Sequence, residues 1–590
     1  MTDAALASPS ARRGSPLSFL WHRRLESYPD DGKRIFYLGI VVVATIVLYY
    51  ELYVQGAVAP SIISQYHMSF TYYVDVVVVA NALGAFSSLI AGLADRWGRA
   101  NLVTYGLVIT AALILWGLPN APNKWTYGVL LGAVGFVEGI ILVATPALVR
   151  DFSPQLGRAS AMGFWTLGPV IGSLVVAEVA THTLAAGATP PWRGQFVICG
   201  IVGLVVSVIA IVGLRELSPQ LRDQLMVSMR DRALVEARAR GLDISDSLRR
   251  PWRQMLHFDI IGSALAISVL LLIYYTAVGF FVIYFESIFG FTANQANGIG
   301  NWFWAFDAGA LVVVGVVSDR LLVRKPFMIV GGIGSVVMTI IFLTRATHTH
   351  TGYYTFVWMI SVLAVFLAIA FAPWMASFTE TVEKRNPALT ATGLAVWGWV
   401  IRAVVAVSAF ILPFVVSSMT PLVTYGAPVQ AALAKVDAAK PVKVPYTSTP
   451  QPLLAVVQGH AQVFASLAKY TNPKSIPASV LDPAIAAVGI PALLAAQQYT
   501  VPLGVLAAHG SAVLDASKAA PGQWQNWYWV CVAGEAVFIP LVFVMTGRWR
   551  PKRAREDARR HEQLVASEMA RLSATGPSKA ASAAGAGNVA

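Results

Sequence analysis

The sequence predicts an all-α membrane protein with twelve transmembrane helices in two pseudo-symmetric six-helix bundles. Three observations carry that prediction. Of 590 residues, 56% are hydrophobic and only 12% are charged, about half the charged share of a soluble globular chain. Twelve stretches reach the roughly 20 mostly apolar residues that a bilayer-spanning helix needs. Short motifs in the first six stretches recur, in the same order, in the second six. This composition excludes an ordinary cytosolic enzyme and a disordered chain.

Residues 1–34 form a polar, basic segment containing Arg12, Arg13, Arg23, Arg24, Lys33 and Arg34. No apolar core precedes a small-residue cleavage site, so the segment does not read as a signal peptide. Within it, Leu17 to Tyr28 reads as a short amphipathic stretch at the membrane surface. The first bundle, 35–214, holds spans at 35–57, 70–93, 101–118, 126–148, 159–180 and 194–214. Residues 215–257 are expected to be a cytoplasmic amphipathic linker helix begun by Ser218-Pro219, with Arg222, Asp223, Arg230, Asp231, Arg232, Glu236 and Arg238 in solvent. The second bundle, 258–547, holds spans at 258–285, 297–317, 326–344, 353–377, 389–416 and 526–547. An Ala-, Val- and Pro-rich outside insertion, 417–525, separates its last two spans and reads as short helices on the outer surface. In the basic tail, 548–590, residues 551–573 read as a charged helix and 574–590 as a disordered Ala/Gly/Ser run. Pro146, Pro169, Pro373, Pro413 and Pro540 lie inside spans, where neighbouring helices can re-satisfy freed backbone groups.

Lys and Arg set the orientation. Arg96 and Arg99, Arg150 and Arg158, Arg320, Arg324 and Lys325, and Lys384 and Arg385 fall in one set of connections, together with both termini and 215–257. The opposite short connections hold little beyond Lys124, Arg193 and Arg345. Both termini are therefore expected in the cytoplasm, and the Ala/Arg-rich composition suggests a bacterial inner membrane. The formal charge of +13 reads as a topology signal and a contact with anionic lipid heads. No basic, aromatic-studded soluble face suggests nucleic acid. Cys199 and Cys531 sit in apolar runs without metal or redox spacing. No cofactor or metal is expected, and the protein is expected to be a monomer.

The internal repeat is concrete. Ala91-Gly-Leu-Ala-Asp95-Arg96-Trp-Gly98-Arg99 follows the second span, and Gly315-Val-Val-Ser-Asp319-Arg320 follows the eighth, with the aspartates 224 apart. Ala161-Met-Gly163…Gly168 parallels Ala391-Thr-Gly393…Gly398 at an offset of 230, and Pro146 parallels Pro373 at 227. Parallel halves are a transporter signature.

On these motifs the chain resembles the major facilitator superfamily across nearly all twelve spans. The loop after span two is similar to that family's signature between its second and third helices, with Ala91 in place of its first Gly and Ala100 in place of its last basic residue. The copy after span eight has Leu322 in place of the second Gly. Gly168-Pro169-x-x-Gly172 partly resembles a motif of the drug/proton antiporters. Span four lacks the early intramembrane Arg of many proton-coupled relatives, and Leu217-Ser-Pro219 is faintly similar to sugar and metabolite symporters. The resemblance implies a conformational latch made of Asp95, Arg96, Gly98, Arg99, Gly315, Asp319 and Arg320. Physically, Asp95 and Asp319 sit at inner helix ends, where a carboxylate can face the positive end of a helix from the other half for about 0.3–2 kcal/mol.

A charge at the bilayer centre costs at least about 2.5–3.5 kcal/mol on insertion scales, so deep charges face a cavity or a partner. Glu138, Asp307, Arg402 and Glu535 lie near mid-span, Glu51 and Asp75 in outer thirds, and no histidine falls mid-membrane. Arg402 reads either as an anchor for a substrate carboxylate, through its forked guanidinium, or as a structural partner of Asp307 or Glu535. Glu138 and Asp307 are candidate proton carriers. The family usually lines its central cavity with the fourth helix, which supports Glu138, and packs the twelfth peripherally, which makes Glu535 structural. Glu51 is a candidate at the outer lip of the cavity, and Trp399 a candidate aromatic wall beside Arg402.

The expected function is secondary active transport by alternating access: proton-coupled movement of a small organic anion or metabolite, or alternatively drug/proton antiport. No nucleotide-binding loop is present. A potential of 100 mV supplies about 2.3 kcal/mol per charge, enough for roughly 50-fold accumulation.

Overall fold

The computed structural model describes residues 21, 23–90, 98–153, 158–184, 191–218, 221, 254–385, 390–447, 449–467, 469–470 and 475–574. The apolar runs become helices because backbone polar groups at membrane depth must be satisfied within the segment. In the first half these are α1 (Asp31–Ala57), a short α2 (Ala59–Gln65) begun by Pro60, α3 (Phe70–Ile90), α4 (Arg99–Ala112), α5 (Lys124–Phe152), α6 (Arg158–Thr183) and α7 (Pro191–Gly213). Span three leaves α4 through a π turn at Leu113–Gly117 and a 3-10 turn at Leu118–Asn120. Asn123 caps α5, its side chain accepting from the Trp125 and Thr126 amides.

In the second half, span seven is two helices, α8 (Phe258–Leu270) and α9 (Leu272–Phe289). They are followed by α10 (Ala293–Leu321), opened by a Thr292/Gln295 capping box, α11 (Lys325–Arg345), α12 (Tyr353–Arg385) and α13 (Thr390–Val415). The insertion builds α14 (Met419–Asp437), α15 (Leu453–Gly459), α16 (Ala461–Leu467) and α17 (Ala478–Gln498). It then continues without a break into span twelve as α18 (Thr500–Leu541). The tail forms α19 (Pro551–Ala574). With the two bundles this gives the twelve-helix architecture. α17 is also long and apolar enough to span, but it kinks at Gly489, φ +78°, and packs on α15 and α16 of the insertion.

The insertion thus departs from the expected set of short helices: α14 and α17 run 19 and 21 residues, and α18 continues into span twelve. Most of the linker helix expected within 215–257 lies outside the described residues, as do Asp95, Arg96 and the tail beyond 574. The linker's start is a strand: β2 (Glu216–Leu217) pairs in parallel with β1 (Arg24–Leu25). Arg23 beside it is buried, donating to Thr104 Oγ1 at 2.9 Å and to the Ala210 carbonyl at 3.1 Å. Part of the segment expected at the membrane surface therefore ties spans three and six together.

We call the face carrying the termini inner. The halves meet through α3 against α13, α6 against α10, and α1 against α9. One apolar core runs across the outer ends of both halves, joining Ile62, Met68 and Phe70 to Phe280, Phe285 and Met419. The inner end of the first half keeps a separate core of Ile40, Leu107, Ile141 and Leu148. Hydrogen bonds join the halves at the outer end: Asn297 Nδ2 to the Ala57 carbonyl at 3.0 Å, and Asn301 Nδ2 to Glu178. The molecule is closed outside.

Candidate functional site

Arg402 projects from the middle of α13. Among the described groups that act on its charge are two tyrosine hydroxyls, Tyr49 from α1 of the first half and Tyr275 from α9 of the second. Tyr49 packs ring to ring with Tyr53 at 5.6 Å and also lies within electrostatic range of Glu138 on α5. On the second half's side, Tyr274 meets Trp304 edge-on at 5.0 Å and lies within range of Asp307 on α10. A guanidinium, phenol hydroxyls and two carboxyls are thus gathered at mid-depth on the seam. A forked cation flanked by hydroxyls suits a carboxylate that also carries hydroxyl groups.

Glu138 is 1% exposed, and neither carboxylate oxygen has a hydrogen-bond partner among the described residues. Its neighbours Gly135 and Gly139 serve packing: a Cβ at either would collide with the carbonyl oxygen of Ala80 or of Gly84. Only bare backbone lets α5 sit this close to α3. Gly168 and Gly172 do the same for α6 against Thr45 and Tyr49 of α1.

Other expected positions move. Glu51 turns into its own bundle, one oxygen against Gly203 of α7 and beside Ala111 of α4, rather than toward an outer lip. Only glycine at 203 leaves room for it. Glu535 is fully buried in the second bundle and accepts from Thr339 Oγ1 at 2.8 Å, with Cys531 buried one turn earlier on α18. These two places correspond. Tyr49-Tyr50-Glu51 repeats as Tyr274-Tyr275-Thr276 at an offset of 225, and Cys199-x-x-x-Gly203 repeats as Cys531-x-x-x-Glu535. Each bundle buries one carboxyl at the same point of the repeat, supplied by the first helix in one half and by the last helix in the other.

Trp399 is 70% exposed and lies on a stripe of exposed residues with Ala395, Val407, Phe410 and Phe414. Trp304, by contrast, is 5% exposed against Tyr274. Asp75 is exposed on α3. Two apolar grooves of about 400 Å³ between α10, α11 and α12 are lined by residues such as Val313, Phe327 and Phe306, and by none of the charged groups.

At the inner face, Gly98 adopts φ +89° before α4, and the buried Glu216 carboxylate fills the space where its side chain would be. Arg99 Nη1 donates to both oxygens of Asp151, at 2.9 and 3.0 Å. In the second half Asp319 pairs with Arg324 at 2.7 Å, and Arg324 also meets Glu380 at 3.2 Å. Gly315 has open space around it, and Arg320 is exposed. These pairs stay within their own halves, as an outside-closed state requires if the inner ends are apart.

The tyrosines are not among the site residues expected from the sequence. Their signal is the Tyr-Tyr doublet, whose offset of 225 matches the other repeats.

Comparison with known proteins agrees with this architecture. The Major Facilitator Superfamily model matches residues 41–409. A galacturonate transporter of Dickeya chrysanthemi is 27% identical over 180 residues, 30% of this chain and 50% of that protein. The rice (Oryza sativa subsp. japonica) protein named probable anion transporter 3, chloroplastic, is 26% identical over 269 residues, 42% of this chain and 50% of that protein. The chain thus spans about half the length of the curated relatives it matches. Among solved structures, a bacterial homologue of the human lysosomal transporter Spinster, inward-facing and unoccupied, superposes with a TM-score of 0.56 at 15% identity, covering 88% of this chain and 98% of that one. The D-xylose-proton symporter gives 0.50 at 14% identity, covering 64% and 90%. With its two six-helix halves and a family match over residues 41–409, this chain belongs to the major facilitator superfamily.

Proposed function

We propose that the protein carries a small organic anion or metabolite together with protons, by alternating access of the seam site to the two faces. The observation that carries this reading is Arg402 at mid-depth, set between a tyrosine of each half. An anion bound there touches both halves, so its binding energy can favour the state in which they close around it. Two relatives named for galacturonate and anion transport support the anionic class. Glu138 and Asp307 take the proton-carrying role, each a buried carboxyl within electrostatic range of the tyrosine cluster, Glu138 of Tyr49 and Asp307 of Tyr274. The mid-seam position of Glu138 also makes it a substrate contact, whereas Glu51 supports it from within the bundle. Gly98, Arg99, Gly315, Asp319 and Arg320, with Asp95 and Arg96, form the inner latch when the molecule opens outward. In this reading both termini face the cytoplasm of a bacterial cell and the monomer is the working unit.

The test is uptake into proteoliposomes under an imposed pH gradient, comparing hydroxylated organic acids with lipophilic cations. Acids are expected to accumulate saturably. Arg402→Lys keeps the charge but loses the fork, and is expected to raise KM about tenfold; Arg402→Ala is expected to abolish saturable uptake. Unchanged saturable uptake by Arg402→Ala removes the anion anchor. Proton-driven expulsion of cations identifies a drug/proton antiporter instead.

A further inference from the structure

The outside insertion carries a contact that the transport reading does not use. α14 follows span eleven and is fastened to the second half at three points. The Ser418 amide donates to Gln523 Oε1 at 2.9 Å, Trp524 Nε1 donates to Met419 Sδ at 3.2 Å, and the Tyr425 and His509 rings stack 3.8 Å apart and 5° from parallel. All three partners lie on α18, which is continuous with span twelve. The other face of α14 lies on the first half. Val423 is buried in the core that also holds Ile62, Ile63, Met68 and Phe70, whereas Leu422, three residues from both Met419 and Tyr425, shares their stripe toward α18. Thr424 Oγ1 donates to the Met68 carbonyl at 3.2 Å. That carbonyl follows His67, a non-glycine residue held at φ +48° in the turn between α2 and α3. α14 therefore bridges the outer seam near the Asn297–Ala57 bond.

If the halves rock, one side of α14 has to let go. Leaving α18 means losing two hydrogen bonds, a ring stack and the longer of its two interfaces. Leaving the first half means losing one hydrogen bond and a small apolar patch. We propose that α14 is a bracket carried by the second half which clips onto the α2–α3 turn of the first half, holds the outer gate shut, and unclips when the outer face opens. The inference rests on alternating access but not on the nature of the substrate.

The test reads the outer gate without any substrate. Ala177 of α6 is 4% exposed and lies against Gly300 of α10 at the outer seam, so Ala177→Cys reports opening through its labelling by a membrane-impermeant maleimide. Labelling of this reporter variant at a measurable rate shows that the gate opens at all. Adding Thr424→Val, which removes the donor at nearly constant volume, is expected to raise that rate about threefold, the size of effect one net hydrogen bond carries. Equal rates with and without this change overturn the bracket. A second arm covers loss of folding. A short cross-linker between cysteines introduced at Met68 and Thr424 is expected to bring labelling to background, and cleaving that link with a reductant is expected to restore it. The same reagent between cysteines at Ser418 and Gln523 is expected to leave labelling unchanged. Normal labelling with the 68–424 link in place shows that α14 never separates from the first half, and the proposal fails. A reporter that is never labelled tells against alternating access itself.

Discussion

At the scale of single residues, the seam is a problem of pairing charges where water is scarce. Arg402 is shared by tyrosines of both halves, so its surroundings change whenever the halves move. Glu138 has no hydrogen-bond partner for either oxygen among the described residues, and the proposed mechanism has it exchange a proton in step with that movement. Glu138→Gln keeps the shape and removes the titration. In proteoliposomes it is expected to retain exchange of internal for external substrate while losing accumulation driven by a pH gradient; accumulation at the parent level would assign coupling elsewhere. Arg402 and Glu138 were legible in the sequence because a deep charge is costly and so has to mean something. The directions of Glu51 and Trp399 were not. A helix shows which residues share a face, but not which neighbour that face meets, and Glu51 points where Gly203 leaves a gap. The seam tyrosines were hidden by their amphipathic character, which suits packing and binding equally well.

At the scale of elements, glycine spacing decides how closely helices approach. α5 sits on α3 through Gly135 and Gly139, with contacts too short for any side chain. Gly139→Val is expected to force these helices apart, lowering the melting temperature of detergent-solubilised protein by several degrees and cutting transport with it. An unchanged melting curve would show that the pair can repack. Span existence was legible from hydropathy, since about 20 apolar residues have few other uses. Span ends were not. Span seven breaks at Leu271, next to the place where Gly534 lets α18 approach the Val269 carbonyl, and nothing local in the sequence marks that meeting. The unbroken α18 was equally hidden, because Pro521 within it reads as a stop. It persists with Ala520, Pro521 and Trp524 buried against their neighbours.

For the whole molecule, two halves meet across one apolar core at the outer end, while the described inner pairs Arg99–Asp151 and Arg324–Asp319 each lie within one half. The outer closure has two separate fastenings, the Asn297–Ala57 bond and the α14 bracket. Because they share no partner, their contributions are expected to add in free energy. Asn297→Ala and Thr424→Val should therefore multiply each other's effect on maleimide labelling of the Ala177→Cys reporter. A combined effect no larger than the stronger single one would show that they act as one unit. The duplication itself was legible from three weak motif matches at similar offsets, whereas the state of closure was not, since one sequence has to serve both states. One consequence of the long α18 reaches beyond the gate. Its outer stretch, Thr500 to Gln525, extends about 39 Å from the membrane end at 1.5 Å per residue. If this shaft stays stiff, each degree of tilt in the second half swings its tip by roughly 0.7 Å. Two fluorophores, one on that tip and one on the first half, would then read the working stroke of the protein as a mechanical signal, magnified and already outside the lipid.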